Sequence, residues 1–347
     1  MNTAPMVSIL MPNFNGEHLV AQTLDSLLAQ TETRWECVIV DDGSSDKSPE
    51  IIQNYVQQDP RFGFMKRHRE PKGACTCRNI GLDHTTAPYV MFLDNDDLLE
   101  PFALANRLQT MQANPELDFA IFPSVMFEHT PHDLRRWWNI PNNMDLLMRQ
   151  CVHDSVCQGT GPLFTRQAFD RLGRWNESLL LWQDIHLFFQ AYSQDYSCKV
   201  FWDLPPDLHN RCNPNSLSRG NFLAPGKQIS RKQVIEQAIE SMLAHDKAAY
   251  LPYMDAETAE VIQGLKRAKL SDEAQQLRKL ARDKGVFTRQ QYHWAGVVLV
   301  LWSAVRFRVP FAQFCIRQLI KQFHRSSRMC EVSYDEFPCP GHPPEQS

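Results

Sequence analysis

The stretch YVMFLDNDD, Tyr89 to Asp97, decides how this chain is read. Its uninterrupted apolar and aromatic start predicts a strand buried on both faces, the kind found inside parallel sheets. Asp94, Asp96 and Asp97 then crowd three carboxylates onto the strand's carboxyl end. Left alone, such groups repel one another and resist ionisation. A hard divalent cation, Mg²⁺ or Mn²⁺, relieves the repulsion. Mg²⁺ takes one or two carboxylates and leaves its other positions to water and phosphate oxygens. An ion so placed neutralises a diphosphate leaving group by Lewis-acid and electrostatic action. The bland alternative is a solvated acidic turn that caps a helix over 98–113.

Upstream, MVSILMP (6–12) reads as a strand ended by Pro12 and the turn-prone Asn13-Phe14-Asn15-Gly16. Leu19, Leu24, Leu27 and Leu28 are spaced to cover one face of a helix. A second strand, Cys37 to Val40, stops at the acidic turn DDGSSD (41–46), and Ser48-Pro49-Glu50 opens another helix. Phe62 to Met65 predicts a third strand and 74–84 a third helix. This alternation predicts an α/β fold with a mostly parallel sheet flanked by helices. In such sheets ligands bind beyond the carboxyl ends of the strands. Both acidic clusters fall there.

Several residues admit two readings. Asp41 and Asp42 form either an Asx-type turn or a carboxylate that receives hydrogen bonds from the base or ribose of a nucleotide. Arg78, in KGACTCRNIG (72–81), is either a partner for phosphate or Asp or a solvated helix-face cation. Asp184, in LLLWQDIHLFF (179–189), is either a helix-start charge favoured by the dipole or a partly desolvated general base.

The 347 residues, 43% hydrophobic and 22% charged, suffice for a sizeable core and exclude wholesale disorder. A net charge of −4 gives no general attraction for nucleic acid. The 10 cysteines lack zinc-finger spacing, and the opening MNTAPMVSIL lacks a signal-peptide pattern, so reduced thiols and a cytoplasmic location are expected. Composition divides the chain into a catalytic domain at 1–225, a helical extension at 226–332 and a disordered tail at 333–347; residues 208–221 read as a loop. WAGVVLVLWSAV (294–305) is too short to span a bilayer core, which needs about 20 residues. The basic and aromatic run that follows predicts, over 286–330, either an interfacial helix on the inner face of the plasma membrane or a packed hairpin or dimer contact.

Taken together, VSILMPNFNG (7–16), VIVDDGSSDKS (38–48), RNIGL (78–82) and FLDNDD (92–97) resemble, in order and spacing, the family 2 glycosyltransferases. GRWNESL (173–179), WQDIHLFF (182–189) and NPNSLSR (213–219) resemble the acceptor half of the same domain. The resemblance covers roughly 6–220. It implies a GT-A fold, a nucleoside-diphosphate sugar donor, a glycan or lipid-linked acceptor, and inversion by a single in-line displacement. It implies that Pro12, Asn13, Asn15 and Asp42 line the nucleobase pocket, with Arg78 near the nucleotide. Asp94 would lie near the ribose or donor sugar, Asp96 would bind metal, and Arg211 would help hold the diphosphate. Asp184 would be the catalytic base. The implied setting is synthesis of a polysaccharide, lipopolysaccharide or other glycoconjugate. Two departures stand out: Gln183 where the family usually has Glu, and Cys75 and Cys77 where it has small residues. His186 is expected to pack. A nucleotidyltransferase would carry a Gly-rich loop where Pro12 to Gly16 stand. A non-catalytic sugar-binding relative would more naturally have lost Asp96 or Asp184.

Overall fold

The computed structural model describes residues 4–213, 220–293, 332–334, 336, 337 and 339. The chain opens as β1 (Val7–Asn13), α1 (Val20–Leu28), β2 (Trp35–Asp41), α2 (Ser48–Gln58), β3 (Phe62–Lys66), α3 (Ala74–Asp83) and β4 (Tyr89–Phe92). It continues through β5 (Leu98–Leu99), α4 (Ala103–Ala113), β6 (Phe119–Ile121), β7 (Ser124–Phe127), β8 (Arg136–Trp137) and α5 (Leu146–Cys151). Next come β9 (Pro162–Thr165), α6 (Arg166–Arg171), α7 (Gln183–Ser193), β10 (Cys198–Val200) and β11 (Leu208–Arg211). Three longer helices follow, α8 (Pro225–Ala244), α9 (Asp255–Arg267) and α10 (Ser271–Asp283), and β12 (Val332–Ser333) lies in the tail.

The main sheet has the order β10-β6-β9-β4-β1-β2-β3. β1 pairs in parallel with both β2 and β4, while β9 runs against β4 and β6. Alternation along the strands explains why apolar runs are needed here. Ile9, Met11, Cys37 and Ile39 face one hydrophobic cluster beneath α1 and α4; Leu10, Val38 and Val40 face another with α3, α7 and α8. With both faces covered, a polar residue in the strand interior needs a partner, as Ser8 finds in Glu36 Oε1 at 2.7 Å. Gly81 lets α3 approach β1 closely, since a Cβ there would stand 2.9 Å from Leu10 Cδ1.

A smaller sheet, β12-β8-β7-β11-β5, lies beyond the acidic end of β4. Two expectations change here. The segment after Asp97 begins as β5, with α4 starting only at Ala103, so Asp97 does not cap a helix over 98–113. Residues 208–211 are not loop: β11 pairs in parallel with β7 and antiparallel with β5. Farther along, Val332 and Ser333 pair with Trp137 and Arg136, and Tyr334 is fully buried. These pairings join residues far apart in sequence, which local composition does not encode.

The C-terminal helices share the hydrophobic cluster of the first half, which runs from Leu10 to Phe287. The Leu180 amide donates to Ser230 Oγ at 2.8 Å, and Arg231 lies 4.3 Å from the Trp182 ring and 3.1 Å from Glu257 Oε1. Cys37, Cys75, Cys77, Cys151 and Cys157 are buried and unbridged. Among the described residues no helix is long and apolar enough to cross a membrane. Of the stretch 286–330 expected to be interfacial, residues 294–330 lie outside the described residues, while Val286 and Phe287 are buried in the main hydrophobic cluster.

One buried ion pair ties the two sheets. Arg107 on α4, fully buried, donates through Nε and Nη2 to the Asp207 carboxylate, both at 2.7 Å, and through Nη1 to the Thr160 carbonyl at 3.1 Å. Removing one partner of such a pair leaves an uncompensated charge in the core, costing about 3–5 kcal/mol. Asp207→Ala should therefore lower the urea-unfolding free energy by about that amount. A loss below about 1 kcal/mol would place Asp207 among ordinary surface acids.

Candidate functional site

The carboxyl ends of β1, β2 and β4 are stitched together by one side chain. Asn13, fully buried, donates from Nδ2 to Asp41 Oδ1 and Ser48 Oγ, each at 2.9 Å, and to Ser44 Oγ at 3.2 Å. Its Oδ1 accepts from Asn95 Nδ2 at 2.7 Å. Gly16 is required beside this knot, because a Cβ there would come 2.3 Å from Asn95 Nδ2. Asn15, exposed and at φ 49°, closes the first loop on the second: its amide donates to Ser44 Oγ and its Oδ1 accepts from the Ser45 amide, both at 2.9 Å. Pro12 pairs with Val40 one step below.

Asp41 and Asp42 divide the two readings between them. Asp41 makes the turn, its Oδ2 accepting from the amides of Gly43 and Ser44 at 3.1 and 3.0 Å. Asp42 turns to Arg67, whose Nε donates to its Oδ1 at 2.6 Å. The Gly73 amide lies 3.4 Å from the same oxygen. Arg67 was not legible as a site residue, because only the pairing of β2 with β3 sets it opposite Asp42.

At β4 the three acids take different roles. Asp94 Oδ1 accepts from Arg78 Nη2 at 2.5 Å, and Arg78 Nη1 donates to Gln183 Oε1 at 3.3 Å. The Arg78 side chain is 8% exposed and lies 4.7 Å from the Trp175 ring, so it is no solvated helix-face cation. Asp97 points inward, 4% exposed. Its Oδ1 accepts from the Arg211 amide at 2.9 Å, and its Oδ2 from Asn210 Nδ2, Thr160 Oγ1 and Gln158 Nε2 at 3.1, 3.2 and 3.3 Å. Burial, then the charges of Asp96 and Asp94, push its carboxyl well above the usual range. Asp96, between them in the turn, is half-buried. Burial first, and the charge of Asp94 second, push it up to about 6.

Arg211 stands at the end of β11 with its guanidinium spent on structure: Nε donates to the Asp96 carbonyl at 2.8 Å, Nη1 to the Glu128 carbonyl at 3.1 Å and Nη2 to Gln22 Oε1 at 2.7 Å. It fixes the acidic turn of β4 through the backbone. The resemblance implies a diphosphate role for Arg211; here these three guanidinium nitrogens are bonded within the protein.

Asp184 begins α7, after Trp182 in the left-handed region at φ 63°. Its Oδ1 accepts from the Ile185 amide at 2.9 Å. Burial raises its pKa, and the charges of Arg78 and Asp94 both reach it, in opposite senses. The cleft therefore brings Asp94, Arg78, Gln183 and Asp184 into one electrostatic unit. His186 lies apart from it, lining a separate polar cavity with Arg174, Gln190 and Gln237 rather than packing wholly into the core.

The comparisons with known proteins agree with this geometry. The family described as "Glycosyl transferase family 2" matches residues 8–173. An uncharacterized glycosyltransferase of Haemophilus influenzae is 38% identical over 110 residues, 32% of this chain and 44% of that protein. TuaG of Bacillus subtilis, named for teichuronic acid biosynthesis, is 32% identical over 133 residues, 38% of this chain and 52% of that protein. YibD of Escherichia coli, also named an uncharacterized glycosyltransferase, is 34% identical over 120 residues, 35% of this chain and 34% of that protein. The chain thus spans about a third to a half of the length of these curated relatives. Among solved structures, S. aureus TarS 1–349 in complex with UDP-GlcNAc superposes with a TM-score of 0.58 at 16% identity, covering 83% of this chain and 90% of that one. The mannosyltransferase PcManGT of Pyrobaculum calidifontis, in complex with GDP-Man and Mn²⁺, gives 0.51 at 17% identity, over 92% and 85%. With its ordered motifs, acidic strand ends and mostly parallel sheet, the chain matches glycosyl transferase family 2 over residues 8–173 and has the GT-A fold.

Proposed function

We propose that this chain transfers a sugar from a nucleoside-diphosphate sugar to an acceptor hydroxyl, with inversion at the anomeric carbon. The observation that carries the proposal is the bridge from Asp94 through Arg78 to Gln183, which sets the donor-side acids beside Asp184. On this reading Pro12, Asn13, Asn15 and Asp42 frame the nucleoside. The setting is synthesis of a polysaccharide, lipopolysaccharide or other glycoconjugate; the relative TuaG, named for teichuronic acid biosynthesis, supports that class of product.

The cleft carboxylates fit a divalent cation, Mg²⁺ or Mn²⁺. Asp94 has Arg78 as its counter-ion, whereas the Asp96 carboxylate is buried beside a second anion and resists ionising. That is an acceptor-rich, charge-deficient position. Asp96, with Asp94 beside it, would hold the ion, which when bound supplies positive charge to the leaving diphosphate.

Asp184 does the proton work. Burial raises its pKa and so strengthens it as a base, while the Ile185 amide and the Arg78 charge favour its carboxylate form. It takes the proton of the acceptor hydroxyl as that oxygen attacks the anomeric carbon. The bond from that carbon to the diphosphate breaks on the opposite face, so the configuration inverts.

The first test needs no acceptor. UDP, GDP and dTDP are each offered with Mn²⁺ or Mg²⁺ and the melting temperature followed; a ligand at 100 times its Kd adds about 2.7 kcal/mol. One nucleotide class should stabilise the protein in a metal-dependent way. No stabilisation by any of them at saturating metal would refute the reading. With that donor, slow hydrolysis by water should fall about 10²–10⁴-fold in Asp184→Asn while nucleotide binding stays unchanged. Undiminished hydrolysis would remove Asp184 from the chemistry.

A pH series isolates Asp96. An acid whose folded pKa is raised holds its proton more tightly when folded, so its contribution is fully present below its unfolded value and is lost as pH rises through about 6. Metal-free protein should therefore lose on the order of 2 kcal/mol between about pH 4 and pH 7, and Asp96→Asn should remove most of that loss. Metal affinity should run the other way, falling about tenfold from about pH 7 to about pH 5, because the ion must displace the proton. A metal affinity independent of pH across that range would exclude Asp96 as the ligand.

A further inference from the structure

Away from the nucleotide cleft, three metal-ligating side chains converge from three separate segments. Glu100 follows β5, His209 lies on β11, and His132 sits at φ 65° in the loop between β7 and β8. His209 Nε2 stands 2.7 Å and His132 Nε2 3.7 Å from Glu100 Oε1. One ligand atom from each residue falls within 4.8 Å of the other two. We propose that Glu100, His132 and His209 bind a structural transition-metal ion of the zinc class, in a site separate from the one at Asp96.

The chemistry of the donors selects the ion. Two imidazoles and one carboxylate suit Zn²⁺ and its neighbours, whereas Mg²⁺ prefers oxygen alone. A tetrahedral Zn²⁺ about 2.0–2.1 Å from each ligand atom would set those atoms roughly 3.4 Å apart. The His132 contact meets that spacing, and the His209 contact needs to open by less than 1 Å from its 2.7 Å. Side-chain exposures of 1% for His209, 15% for His132 and 27% for Glu100 leave the fourth position facing water on the Glu100 side.

The surroundings hold this arrangement in place. His132 Nδ1 lies 2.8 Å from the Tyr334 hydroxyl, a partner that orients the ring and directs Nε2 inward. Asp133 locks the loop by accepting from the amides of Glu128, His129 and Thr130 at 2.9, 2.7 and 3.0 Å. The Phe127 ring, 6.0 Å from the His209 ring and 4.2 Å from the Arg211 guanidinium, stands between this cluster and the acidic turn of β4. An ion here would clamp β5, β11 and the 128–135 loop together and, through Tyr334, fasten the tail to the smaller sheet.

The test uses the full chain, stripped by chelator and titrated with ZnCl₂ without nucleotide; Co²⁺ in parallel reports tetrahedral geometry by its visible absorption. Wild type and Asp96→Asn should each bind one equivalent and melt higher with it. His132→Asn should abolish that uptake, and Glu100→Gln, which keeps the shape of the side chain, should weaken it at least tenfold. Nucleotide-dependent stabilisation, unchanged in both variants, certifies that they fold. No zinc bound by wild type, uptake lost in Asp96→Asn, or uptake unchanged in His132→Asn and Glu100→Gln would each overturn the proposal.

Discussion

A guanidinium buried between one strand-end acid and a helix start is the joint on which the cleft depends. Burying Arg78 is costly unless its charge is met and its donors are used. Asp94 supplies the charge and Gln183 a further acceptor, while the Trp175 ring covers it from the side. Those partners come from the turn after β4, the first turn of α7 and the segment before it. One desolvated cation therefore fixes the distance between Asp94 and the first turn of α7, which carries Asp184. Gln183 in place of a carboxylate also leaves Asp94 as the anion in direct contact with Arg78, so the salt bridge there is not shared.

Around that joint the sheet sorts chemically similar residues into opposite roles. Asp41 and Asp42 are neighbours, yet one is consumed by two backbone amides and the other pairs with Arg67. Asp96 and Asp97 differ in the same manner. Asp97 holds β9, β11 and the acidic turn together by accepting four hydrogen bonds from inside the protein. Asp96, beside it in the turn after β4, is raised in pKa by burial and by the charge of Asp94. Arg211 serves twice over, its backbone and side chain both anchoring the turn that carries Asp96.

The smaller sheet and the C-terminal helices act as a frame for this apparatus. Arg107 and Asp207 lock α4 to the approach of β11, and α8 packs against α7, the helix that carries Asp184. The hydrophobic cluster continues without a break from Leu10 on β1 to Phe287. Such a continuous core makes the orientation of α7 depend on residues long after the motifs have ended.

What the sequence by itself determined is local in origin. Continuous apolar runs ended by acids and turn formers predict β1, β2 and β4 and their carboxyl-end loops, because strand burial on two faces leaves a pattern readable over a few residues. The helix at Gln183 and the alternation of strands and helices follow from the same short-range periodicity. Tertiary structure alone decided which partners each acid of a pair takes, that Arg78 is buried, that residues 208–211 form a strand, and that Tyr334 is packed. Arg67 against Asp42 and His209 against Glu100 belong to the same group. Each of these rests on contacts between residues 16 to more than 100 positions apart, or on the direction of a side chain at a strand end. Neither quantity is written in any window of sequence; both are fixed only when the sheets close and burial sets which polar groups must find partners.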